Sequence, residues 1–143
     1  MRVKRVEWVF AGLLFATRAG AAQVEVSEAW IRALPAHLPA AGYFTLKNIG
    51  KTQAVLSGAE TPACGMLMLH KSSESGGVGA MEDVAGIAVA PGGEVKFAPG
   101  GYHLMCMDPA AAIKPGAKVA VTLHFSDGSR TTADFAVRNA RGK

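Results

Sequence analysis

The chain has 143 residues, half of them hydrophobic, with 17 glycines, 7 prolines and 18% charged residues. That is enough for one domain with a real apolar core, and the composition favours a turn-rich β protein over a helical bundle. Most of the formal charge of +4 sits in residues 1–22, which hold four Lys/Arg and one Glu; the +1 left over gives no electrostatic footprint for nucleic acid or anionic lipid.

Residues 1–22 read as a secretory signal peptide. Arg2, Lys4 and Arg5 make a basic start, Trp8–Ala16 is a nine-residue apolar run, and Ala19-Gly-Ala-Ala22 supplies small residues for cleavage. Crossing a bilayer as a helix takes ~20 apolar residues, so no membrane span is expected after cleavage. No cysteine sits at the cleavage region, which argues against lipid attachment there. Residues 23–143 are the expected mature domain. Its Cys64 and Cys106 are bound for an oxidising compartment. Pairing needs a distance the sequence does not supply, and two buried free thiols are the preferred reading.

Alternation and turn signals then follow in chain order. Val24–Arg32 predicts a first strand, and residues 33–40, with Pro35 and Pro39, a loop. Tyr43–Asn48 predicts a second strand, Ala54–Glu60 a third, and Met66–His70 a fourth that leads into a polar loop over 71–77. Ala90-Pro-Gly-Gly93 and Ala98-Pro-Gly-Gly101 are near-copies that predict type II turns around a short strand, Glu94–Phe97. Proline sets φ at the first corner and glycine takes positive φ at the second. Val119, Val121, Leu123 and Phe125 share one parity in a strand that turns at Asp127-Gly128 and returns over 131–137. Short strands between such turns, without a convincing amphipathic helix, predict an all-β antiparallel sandwich.

The most informative feature is a spaced set of soft donors. Ten residues separate His70 from Met81, and twenty-one separate Met81 from His103-Leu-Met105. Imidazole with thioether, and no carboxylate or thiolate in the frame, suits Cu(I). On a strand, His103 and Met105 project together while Leu104 and Cys106 face the other way. Met68 shares parity with His70 and is an auxiliary donor or shield at most. Core filling is the simpler reading of Met66 and Met107. His124 reads as a solvated residue on a polar strand face, and His37 as a loop residue. Trp30 and Tyr102 read as core or rim aromatics.

This pattern resembles the periplasmic copper-A chaperone (PCuAC) family, whose motif is His, ten residues, Met, twenty-one residues, His-x-Met. Ala29-Trp-Ile-Arg32, Ala41–Asn48 and Phe125-Ser-Asp-Gly128 also resemble family landmarks. The resemblance implies a cupredoxin-like Greek-key sandwich with Cu(I) held by His70, Met81, His103 and Met105. It further implies a monomeric, non-enzymatic periplasmic carrier that passes copper by ligand exchange to an acceptor protein, a cytochrome c oxidase subunit. It implies no dependence on a disulfide. Some members end in a Met/His-rich tail thought to take up Cu(II), which Arg138–Lys143 lacks, so a second copper site is not expected.

Rival readings are a storage or buffering protein, a blue-copper electron carrier, an enzyme and a secreted scaffold. Blue-copper centres need a cysteine thiolate with two histidines and a weak axial methionine, and no His-to-Met run follows Cys106. No nucleophile elbow appears, and Glu82-Asp83, being adjacent, would point apart on a strand.

Overall fold

The structure is a computed structural model that describes residues 21–73 and 80–143. The signal-peptide reading over residues 1–20 and the middle of the polar loop after His70 lie outside the described residues. Ten strands make up most of the rest: β1 (Val24–Arg32), β2 (Ala40–Asn48), β3 (Ala54–Glu60), β4 (Cys64–Ser73), β5 (Ala80–Asp83), β6 (Ile87–Val89), β7 (Glu94–Lys96), β8 (Tyr102–Pro109), β9 (Lys118–Phe125) and β10 (Arg130–Arg138). A single 3-10 turn, Pro35–His37, interrupts the loop between β1 and β2.

The strands form one sheet in the order β5-β4-β8-β2-β1-β10-β9-β3-β6, with β7 bonded to β2. β3 also packs against β4, far from it in that order, so the sheet curls back over a common core. The all-β, cupredoxin-like expectation holds. One departure is β1 and β10, which pair in parallel, Trp30 opposite Ala136 and Arg32 opposite Arg138. These strands lie at opposite ends of the sequence, so no hairpin signal could have announced their pairing.

Alternation explains the core. On β9, Val119, Val121, Leu123 and Phe125 are buried, while Ala120 is exposed and Thr122 and His124 are half-buried. β2 is buried along most of its length because β1, β7 and β8 all pair with it. Phe44 packs on Phe97 and Phe135 at ring-centroid distances of 4.3 and 5.6 Å. On β1 Trp30 lies between two guanidinium groups, Arg32 at 5.4 Å and Arg138 at 5.0 Å.

Both predicted Pro-Gly turns form. Gly92 takes φ +75° and Gly100 φ +85°, and the closing bonds run from Gly93 N to Ala90 O (2.8 Å) and from Gly101 N to Ala98 O (3.0 Å). Asn48 ties the first of them down. Its buried side chain donates to the carbonyls of Thr52 (2.8 Å) and Val89 (3.0 Å) and accepts from Gly50 N (2.9 Å).

Cys64 and Cys106 are joined as a disulfide with Cα atoms 5.4 Å apart, which corrects the free-thiol expectation. Pairing of β4 with β8 brings together cysteines 42 positions apart in the chain. The bridge also removes the thiolate that a blue-copper centre requires.

Candidate metal centre

β4 and β8 are antiparallel neighbours in a register that orders every donor on them. Met66 stands opposite Met107, Leu67 opposite Cys106, Met68 opposite Met105, Leu69 opposite Leu104, and His70 opposite His103. Side chains alternate across a strand, so one face carries Leu67, Leu69, Leu104 and Cys106. Of these, Leu69, Leu104 and Cys106 are buried and Leu67 packs at the core margin. The opposite face carries two rows of methionine and one of histidine. The predicted common direction of His103 and Met105 is therefore observed.

β5 adds the third strand. His70 faces Asp83 and Ser72 faces Met81, so Met81 shares the face of His70 but lies one row beyond it. Met81 is 61% exposed. The structure thus brings His70, His103 and Met105 into adjacent rows and sets Met81 on the neighbouring edge strand, open to solvent.

The two imidazoles are close neighbours. Their ring centroids are 5.6 Å apart in an edge-on arrangement, with planes at 80°. His103 is buried, and its Nδ1 lies 3.3 Å from the Gly101 carbonyl. A carbonyl only accepts, so Nδ1 carries the proton and the lone pair is on Nε2. That Nε2 is buried and has no hydrogen-bond partner. Burial pushes the His103 pKa down, and the neighbouring His70 adds to this; the bond to Gly101 opposes it. A buried ring whose protonation burial disfavours, with one bare nitrogen and a second imidazole beside it, has the chemistry to hold a soft cation.

His70 has an unexpected neighbour. The Asp83 carboxylate approaches its Nε2 to 2.7 Å, although both ring nitrogens lack an aligned hydrogen bond. The approach is off the N–H axis, and Asp83 itself is largely exposed. A donor frame free of carboxylate is therefore corrected at its rim. Among the described residues no three His, Cys, Asp or Glu side chains converge. The other donor atoms on this face of β4 and β8 are methionine sulfurs.

Other expectations change too. Met66 is 56% exposed and Met107 half-buried, so neither fills the core. His124 is not simply solvated, since its Nε2 lies 3.2 Å from the Glu60 carboxylate. Asp83 was missed because β5 is four residues long and follows a glycine-rich segment, which leaves too little alternation to place its faces.

Comparisons with known proteins agree with this architecture. The family described as "LpqE-like: Putative lipoprotein LpqE-like" matches residues 24–137. A protein of Leifsonia xyli subsp. xyli (strain CTCB07), described as "Putative lipoprotein Lxx21020", is 35% identical over 120 residues, or 83% of this chain and 72% of that protein. The copper-bound PCuAC domain from PmoF2 superposes with a TM-score of 0.68 and 25% identity, over 84% of this chain and 96% of that one. The Cu(I) form of DR1885 from Deinococcus radiodurans gives a TM-score of 0.62 and 30% identity, over 86% and 85% of the two chains.

Proposed function

The chain belongs to the LpqE-like family, and from that premise we propose that it is a Cu(I) carrier working outside the inner membrane, in the periplasm. Copper is the cargo. His70, Met81, His103 and Met105 hold it, and a cytochrome c oxidase subunit receives it. The observation that carries this reading is the buried, unpartnered Nε2 of His103, on a ring beside that of His70 and with Met105 in the next row. Support comes from the structural relatives described as copper-bound and Cu(I)-bound.

The donor set explains why the ion is held and still released. Two imidazoles and two thioethers are neutral, so the bound ion keeps its single charge, and soft thioether discriminates against hard cations. A thiolate would hold the ion more tightly, and both cysteines of this sequence are bonded to each other. Met81, exposed on an edge strand, is the ligand an incoming acceptor displaces first. His103 and Met105, on a strand paired on both sides, leave last. The protein acts as a monomer in this scheme, with no chemistry performed on the ion.

The test is Cu(I) titration against a competing chelator, followed by transfer to a purified apo acceptor domain carrying the oxidase dinuclear copper site. One ion per chain is expected at the four-ligand site, lost from it when His103 and Met105 are both changed to Ala, with net movement to the acceptor. Binding unaffected by that pair of changes would overturn the ligand assignment. Copper retained in the presence of excess apo acceptor would make the protein a buffer instead.

A further inference from the structure

Among the described residues three thioethers remain outside the four-ligand centre, and the register gathers them. Met66 is directly opposite Met107, and Met68 directly opposite Met105, on the outward face of β4 and β8. Opposed side chains on antiparallel strands have Cβ atoms about 4.5–5.5 Å apart, and diagonal neighbours lie about 7–8 Å apart. Methionine is unbranched with three rotatable bonds. Two opposed sulfurs and one diagonal one can therefore close on a single ion without moving the backbone.

Core packing does not account for these residues. Met66 is exposed and Met68 and Met107 are half-buried, while Leu67, Leu69, Leu104 and Cys106 fill the inward side of the same stretch. The open face of an antiparallel strand pair is ordinarily polar. Here all four outward positions in two consecutive rows are methionine. A surface needed only for apolar docking would be served by valine or isoleucine, which are better strand formers. What methionine adds at each position is a soft donor.

We infer that Met66, Met68 and Met107, with Met105 shared, form a second, all-thioether site for a soft monovalent cation such as Cu(I) or Ag(I). It adjoins the histidine row on the side toward the Cys64 end of β4. Its donors carry no proton and no charge, so an ion passes between the two sites by exchanging one neutral ligand at a time around Met105. No electron moves. The inference stands on the β4/β8 register and does not require the four-ligand assignment.

The experiment is an Ag(I) titration of the purified protein labelled at the methionine methyl groups, read by NMR and by native mass spectrometry. Two bound ions are expected, with the Met66 and Met107 methyl resonances shifting together as the all-thioether site fills. The double variant M66L/M107L replaces exposed side chains with ones of similar volume. It should lose one of the two ions and keep the shift of Met81. Silent Met66 and Met107 resonances up to two equivalents would overturn the inference and leave the first site standing. A double Leu variant that still takes two ions would overturn it equally. Shifts at Met66 and Met107 with Met81 unmoved would uphold this site and sink the four-ligand one.

Discussion

Asp83 and His70 face each other across the β4/β5 pairing, carboxylate to imidazole at 2.7 Å. The contact joins an exposed acid on an edge strand to a mostly buried ring one strand further in. Groups that hold a ligating histidine from behind set its orientation and basicity, and losing them typically costs about 10–100-fold in metal affinity. Asp83→Asn should therefore weaken Cu(I) binding by about tenfold, with the fold intact. Competition with a Cu(I) chelator, alongside circular dichroism, measures both. Undiminished affinity in the variant would mean the carboxylate is an onlooker.

Acid acts on the metal-free protein through His103. Its folded-state pKa lies below the ordinary value of 6.5 because the ring is buried. Below that ordinary value the unfolded chain takes up a proton that the folded chain still refuses, so stability falls with pH. The loss begins near pH 6.5 and is complete once pH has dropped through the lowered folded value. Thermal unfolding of the apo protein between pH 7.5 and 5 should show a falling midpoint, with a shallower slope in His103→Asn. Copper loss should follow the same direction, starting lower than for a free imidazole, because ligation needs the neutral ring.

The Cys64–Cys106 bridge staples the two strands that carry most of the donors. Closing a loop of 42 residues is worth on the order of 4 kcal/mol in the chain-entropy treatment. Reduction, or Cys64→Ala with Cys106→Ala, should lower the unfolding free energy by roughly 2–4 kcal/mol. Denaturant titration with and without reductant measures this. Bound Cu(I) should recover part of the loss, since the ion bridges the same strands. An unchanged midpoint would show that the sheet alone holds β4 to β8.

Asn48 gives a control remote from the donors. Replacing it with Ala leaves the Thr52 and Val89 carbonyls and the Gly50 amide without their partner. Each buried polar group left unmet costs about 1–3 kcal/mol. Asn48→Ala should destabilise by roughly 2–4 kcal/mol while Cu(I) affinity stays constant, as urea unfolding and chelator competition will show.

How far these features could be read beforehand follows from the range of the signals. Parity within β8 announced the common direction of His103 and Met105, because alternation is a local property of the backbone. The Pro-Gly turns and the β9/β10 hairpin were legible for the same reason. The His70–Asp83 contact was not, since β5 offers only two periods of alternation. Met66 and Met107 were expected inside because hydropathy ranks methionine with core residues, and only the pairing with β8 decides which side they take. The disulfide and the parallel β1/β10 pair depend on distances across the whole sheet, which no short window contains.

The parallel pairing of β1 with β10 puts both ends of the folded chain into the middle of the sheet, with β2 and β8 between them and β4. A tether, tag or fused domain at either end therefore pulls on the centre of the molecule and leaves its donor-bearing flank clear.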